Sequence, residues 1–275
     1  MISLGEKDVI FLRSHQSTLD DQELAGFTVE TDIDAALAHQ PDGVIVATPT
    51  ALHLDVAIPA ARKGCHILLE KPLSNSMERI DQLEGALDES GSRILVGFQF
   101  RYHPGLLQIK EWLQNGIIGK VHYVRAHWGE YLPDWHPWED YRESYSAKKD
   151  LGGGVLLTLS HPIDYLCWMF GDISSVSGLF SPGGVLGIDV EECLDASFRF
   201  ENGIIGGLHL DYLQRPPEHK LKIIGSEGTI VWDNEGDLRL FPTNSDSWES
   251  NKPPEGFSRN DLFLSEMKHF LEVLK

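Results

Sequence analysis

The stretch Cys65-His66-Ile67-Leu68-Leu69-Glu70-Lys71-Pro72 most narrows what this chain can fold into. Its apolar run, Ile67-Leu68-Leu69, is short and unbroken, the pattern of a strand covered on both faces. Such strands belong to parallel sheets with helices on either side. Glu70 and Lys71 fall at the carboxyl end of the strand, the edge where open α/β sheets bind ligands. Pro72 cannot extend the ladder, so the charged pair is held at the rim. Taken alone, Glu70 and Lys71 are better explained as a solvated ion pair before a turn.

The chain around this stretch alternates strand and helix. Residues 8–13, 27–29, 44–47 and 93–98 read as strands. Thr31 or Asp32 can cap a short helix through Leu37. A helix over 50–63 is closed by Gly64, and one over 76–89 carries Ile80, Leu83 and Leu87 on one stripe and ends near Gly91. This order predicts a parallel, doubly wound, Rossmann-like sheet. A dinucleotide fold normally opens with a strand, a Gly-x-Gly-x-x-Gly turn and a helix that receives the pyrophosphate. The chain contains no such turn.

The later part has a different pattern. Residues 121–130 alternate as in a two-faced sheet, and further strands are expected at 176–180, 194–200, 204–212, 220–224, 229–232 and 237–240. Glu201-Asn202-Gly203 and Asn234-Glu235-Gly236 are hairpin signals. An α+β domain with a large open, mostly antiparallel sheet follows, giving an α/β chain with domains at residues 1–120 and 121–275. Gly152-Gly153-Gly154 permits close backbone approach and precedes an apolar helix in which His161 and Asp164 share a face. Residues 129–149 form a long aromatic, polar loop including Tyr131, Trp135 and Tyr145, suited either to a sugar ring or to packing. His122, His127 and His136 show no ligand spacing, so no metal is expected.

Charge and cysteine usage restrict the setting. Net charge is −19, from 23 basic and 42 acidic residues. That disfavours nucleic acid and anionic membranes as partners. Cys65, Cys167 and Cys193 are few and widely spaced, which fits a reducing, cytoplasmic location. No stretch reaches transmembrane length.

Several motifs in order resemble the Gfo/Idh/MocA oxidoreductases. Thr48-Pro49-Thr50-Ala51-Leu52-His53 is similar to the family's Thr-Pro-Asn-x-x-His turn, with Thr50 in place of Asn. Glu70-Lys71-Pro72 matches its Glu-Lys-Pro motif. The segment from Gly97 to Pro104 resembles Gly-Tyr-Asn-x-Arg-Phe-x-Pro, with Gln99 in place of Asn. Gly152 to Asp164 resembles the glycine run and His-x-x-Asp motif, with Thr158 where many members have Asp. Gly225-Ser226-Glu227-Gly228-Thr229 is similar to a turn of the second domain. Leu132-Pro133-Asp134-Trp135 and Tyr145-Ser146-Ala147 resemble a subgroup associated with surface-sugar metabolism.

The resemblance implies hydride transfer between NAD(P) and a secondary alcohol or ketone of a sugar or nucleotide-sugar. Lys71 and His161 take the catalytic positions. Arg13, Ser14, Thr48, Pro49, His53, Glu70, Lys71 and Gln99 take cofactor positions. Arg101, Tyr131, Trp135, Tyr145, Thr158 and Asp164 take substrate positions. Arg13 and Ser14 lie where an NAD enzyme has a ribose-binding acid, which leans towards NADP, though Arg13 also reads as a solvated side chain. Arg101 fits a structural ion pair as well as a ligand, and Asp164 fits a role orienting His161 or capping backbone. The family implies a homodimer or homotetramer through the open sheet. Set against it, the chain looks shortened at both ends, lacking a first strand–turn–helix of about 25–30 residues. The strands at 8–13 and 44–47 would then have unpaired interior edges. A non-catalytic sugar- or nucleotide-binding sensor, or an inactive truncated member, is the alternative.

Overall fold

The computed structural model describes residues 2–13, 21–181, 183–234 and 237–274. It divides into two compact units, residues 1–97 with 264–275, and residues 98–263.

In the first unit β1 (Ile10–Leu12) pairs in parallel with β2 (Thr28–Glu30). α1 (Ile33–Ala38) is capped by Asp32, whose carboxylate accepts from Ala35 N at 3.0 Å. There follow β3 (Gly43–Val46), α2 (His53–Arg62), β4 (His66–Glu70), α3 (Ile80–Ser90) and β5 (Ile94–Gly97). β4 lies between β3 and β5, parallel to both. Ile67, Leu68 and Leu69 are buried, and α2 and α3 add Leu54, Ile58, Ala61, Leu83 and Ala86 to the core. α3 begins later than expected because Arg79 sits at φ 64° with its Nη1 2.6 Å from Asp55 Oδ1. The parallel sheet is in two pieces, β1–β2 and β3–β4–β5. Among the described residues the break falls between β1 and β3, at the two edges expected to be unpaired.

The second unit opens with α4 (Pro104–Gln114) and the long strand β6 (Val121–Tyr131). α5 (Val155–Thr158) and α6 (His161–Phe170) precede β7 (Ile173–Phe180), β8 (Cys193–Phe200), β9 (Ile205–Asp211) and β10 (Leu213–Gly225). β11 (Gly228–Asp233), β12 (Leu238–Pro242) and β13 (Glu249–Asn251) complete an eight-stranded sheet, ordered β13-β12-β11-β10-β6-β9-β8-β7. β6 and β9 pair in parallel; the other neighbours are antiparallel. Alternate side chains Val124, Ala126 and Trp128 of β6 enter the core with Leu208, Leu210, Leu221 and Ile223, under α4 and α6. The intervening residues form the opposite face.

The boundary between units falls at Gly97/Phe98, whereas residues 120/121 were expected from the sequence. The reason is packing: Phe100, Leu106, Ile109 and Ile118 all belong to the second core. The last helix, α7 (Asn260–Val273), joins the first unit from Leu264 onward. Gly43 makes that possible, since a Cβ there would lie 3.0 Å from both Phe270 and Leu274.

A pair of three-residue strands is marginal by itself. Hydrogen exchange followed by mass spectrometry is therefore expected to show the amides of β1 exchanging at least about 100-fold faster than those of β4. Equal protection would show that β1 is stabilised by pairing beyond β2.

Candidate active site

In the first unit the informative residues lie at the carboxyl ends of β3 and β4. His53 opens α2 and is 1% exposed. Its Nδ1 lies 2.9 Å from Pro72 O and its Nε2 3.0 Å from Thr48 O. Burial pushes the ring's pKa down against the pull of these carbonyls, and a neutral imidazole donates to one of them at a time. His53 therefore clamps the Thr48-Pro49 turn to the Lys71-Pro72 turn through backbone partners. Thr48 Oγ1 is buried with no hydrogen-bond partner among the described residues. Pro49 and Lys71 are half-buried beside it in sequence and at the neighbouring strand end.

Glu70 is pushed up in pKa by burial, with Lys71 pulling it back. It packs beside Gly97, where a Cβ would lie 3.3 Å from Glu70 Oε2. Arg13 is half-buried at the end of β1, and its backbone N donates to Glu30 O at 2.9 Å. Ser14 lies outside the described residues.

In the second unit Gln99 is 4% exposed, and its Oε1 has no partner among the described residues. Arg101 and Asp164 meet each other: Nε to Oδ2 is 2.9 Å and Nη2 to Oδ1 is 2.6 Å. This two-pronged bond fixes the turn before α4 to α6. It takes up both side chains that were expected at the substrate. His161 begins α6 and is 2% exposed. Its ring lies 4.9 Å from Phe100, 5.7 Å from Phe98 and 5.7 Å from Trp128, centroid to centroid.

The glycine run is explained by contact with the aromatic loop. A Cβ on Gly153 would collide with the carbonyls of Tyr145 and Ser146, and one on Gly154, at φ 103°, with the Glu191 carboxylate. Tyr212 gathers this region. Its hydroxyl donates to Ser146 O at 3.3 Å and is hydrogen-bonded with Thr158, and its ring meets Trp135 edge-on at 5.5 Å. Trp135 and Thr158 are thus brought together, with Tyr145 exposed beside Ser146. Tyr131 is stacked under Arg215, 3.7 Å from the ring centroid.

Glu266 was missed in the sequence. It lies on α7, in the first unit, 3% exposed, with Oε1 unpartnered among the described residues. Burial and then the charge of Glu70 push its pKa up to about 8. The signal was present: Leu262, Glu266, Phe270 and Leu274 share one helical stripe, and a Glu within an apolar stripe marks a buried carboxyl.

Residues 6–98 match a family model described as oxidoreductase family, NAD-binding Rossmann fold, and residues 106–231 match the GFO/IDH/MocA C-terminal domain. Levoglucosan dehydrogenase of Pseudarthrobacter phenanthrenivorans is 28% identical over 238 residues, 76% of this chain and 60% of that protein. Myo-inositol 2-dehydrogenase of Thermotoga maritima is 26% identical over 247 residues, 85% of this chain and 70% of that protein. The chain thus spans about three-fifths of the length of the first of these relatives. Two solved structures show the same fold. Levoglucosan dehydrogenase in complex with NADH and levoglucosan superposes with TM-score 0.84 at 22% identity, over 96% of this chain and 80% of that one. The WlbA dehydrogenase from Bordetella pertussis, in complex with NADH and UDP-GlcNAcA, superposes with TM-score 0.74 at 24% identity, over 97% and 76%. Among the described residues no helix is long and apolar enough to cross a membrane.

The buried Glu266 gives a pH prediction. Unfolded, it loses its proton near the ordinary value of about 4.3; folded, it keeps it to about 8. Its contribution to stability is full below the unfolded value, falls as pH rises, and is gone above about 8. Glu266→Gln stays neutral throughout. Urea unfolding is expected to show it on the order of 2–4 kcal/mol more stable than the parent at alkaline pH and near-equal at pH 5. The same pH slope in both proteins would mean that Glu266 is ionised in the fold.

Proposed function

This chain belongs to the Gfo/Idh/MocA family of oxidoreductases, and on that footing we propose that it serves hydride transfer between NAD(P) and a secondary alcohol or ketone of a sugar or nucleotide-sugar. The observation that carries this reading is the clamp made by His53. It holds the ends of β3 and β4 together and so presents Lys71 and Thr48 at the carboxyl rim of a parallel sheet, the ligand-binding edge of such folds.

The donor set fits one end of the cofactor. Thr48 Oγ1 and Gln99 Oε1, each in its own unit, are buried polar atoms of the kind that a ribose hydroxyl or a carboxamide satisfies. No glycine turn in the chain is available for a pyrophosphate. Arg13 at the end of β1 is the residue that would favour a 2′-phosphate, hence NADP. Bound NAD(P) supplies the hydride chemistry. Lys71 donates a hydrogen bond to the reacting oxygen and stabilises the negative charge that develops there. His161, walled by aromatic rings, takes the alcohol proton in oxidation and returns it in reduction. Trp135, Tyr145 and Thr158, gathered about Tyr212, supply a ring-stacking surface and hydroxyls for a sugar. Relatives named as acting on levoglucosan and myo-inositol support that substrate class.

The same reading includes a cytoplasmic location and pairing of copies through the exposed sheet surface. The exposed side chains of Val176, Leu179, Phe180 and Ile205 support the pairing. The rival reading is a protein that binds a sugar or nucleotide without turnover.

Steady-state assays with millimolar NAD+ or NADP+ and a panel of anhydrosugars, inositols and UDP-sugars separate the two. Turnover is expected, falling about 10²–10⁴-fold in Lys71→Ala and in His161→Ala, with cofactor affinity little changed in His161→Ala. Sugar binding without turnover would establish the rival, and variants as active as the parent would remove both residues from the mechanism. Arg13→Ala is expected to erase a preference for NADPH in fluorescence titration; equal affinities in the parent would sink the NADP assignment.

A further inference from the structure

The open face of the eight-stranded sheet carries a cluster assembled by strand register. Lys220, His127, His209 and Asp195 form one row across β10, β6, β9 and β8. In the next row Glu218, Gly129, Asp211 and Cys193 are aligned. The rings of His127 and His209 stack at 4.8 Å. One ring nitrogen from each and a carboxylate oxygen of Asp211 lie within 4.8 Å of one another.

We propose that His127, His209 and Asp211 bind a divalent transition-metal ion of the zinc class. Two imidazoles and a carboxylate are the donor set that such ions prefer. Each histidine also has an oxygen acceptor on one ring nitrogen. Gln214 Oε1 lies 2.6 Å from His127 Nε2, and Asp195 Oδ2 lies 3.2 Å from His209 Nδ1. Asp195, on His209 Nδ1, leaves Nε2 facing Asp211 for the ion, and an outer acceptor of this kind fixes the tautomer of a metal-bound histidine. Asp211 is 5% exposed; its Oδ1 accepts from Leu213 N at 2.7 Å, while Oδ2 faces His209 Nε2 at 3.1 Å.

Gly129 makes the space. A Cβ there would collide with both Asp211 Oδ2 and Gln214 Oε1, so the missing side chain lets two oxygens converge over the sheet. The neighbouring cation, Lys220, is turned to Glu218 and Asp233, 2.6 and 3.6 Å away. Bonds of about 2.0–2.1 Å to a tetrahedral ion place its ligands about 3.3 Å apart, which rotation of the two imidazoles and the carboxylate can supply. Binding displaces the proton held between His209 and Asp211 to solvent. The ion would cross-link β6 and β9 on the face opposite α6.

Chain purified and dialysed against EDTA is titrated with Co²⁺, read by its visible absorption, and with Zn²⁺, read by calorimetry. A single saturable equivalent per chain is expected, with imidazole-type cobalt bands and a melting temperature that rises with Zn²⁺ concentration. His209→Ala and Asp211→Asn should abolish it. Asp195→Asn changes only an exposed outer acceptor, leaves the fold intact, and should weaken binding about 10–100-fold. His39→Ala, elsewhere on the surface, should leave it unchanged. Absence of saturable binding would show an ion-pair network only. Binding that keeps its affinity in both Asp195→Asn and His127→Gln would place the ion elsewhere and overturn the assignment.

Discussion

A strand buried on both faces can carry charge only where it ends. Ile67, Leu68 and Leu69 are buried in the middle of β4, so at its carboxyl end Glu70, and Lys71 just after it, are the first side chains that can be polar. Everything at that rim follows from holding the strand end in place. His53 does so through two carbonyls, which tie a turn on one strand to a turn on the next without using a side chain of either. The rigidity of the rim therefore rests on backbone contacts, with Thr48 and Lys71 at its two strand ends.

The second unit solves a related problem with glycine. Gly153 and Gly154 bring the start of α5 against the backbone of the aromatic loop, where a side chain would collide. Tyr212 then links that loop to Thr158. The two-pronged bond from Arg101 to Asp164 fixes the helix that begins with His161. Polar side chains in this unit thus serve mostly to position neighbouring segments, and the buried ring of His161 is held by packing.

What was legible in the sequence was what depends on neighbours along the chain. The apolar run of β4, the capping of α1 by Asp32 and the alternation of β6 are local patterns, and they survive folding unchanged. The glycine run and the motif residues were also visible. Partners supplied from elsewhere were not legible. Arg101 read as an ion-pair partner as much as a ligand, but nothing along the chain named Asp164 as its partner. Glu266 reaches Glu70 from the far end of the chain, and His127, His209 and Asp211 meet across strands whose register no spacing reveals. The unit boundary moved for the same reason, because Phe100 and Leu106 look like continuations of the first pattern yet are buried with the second core.

The return of α7 has a consequence for how the protein is made. The first unit is built from both ends of the chain, and the second unit is complete in a continuous stretch between them. During synthesis the second unit can close while the first still lacks the helix that covers Gly43 with Phe270 and Leu274. Until that helix emerges, the Rossmann-like half has an open apolar surface beside β3. The segment translated ahead of the second unit is thus finished after it, and its apolar surface stays uncovered for longer than the order of its residues would suggest.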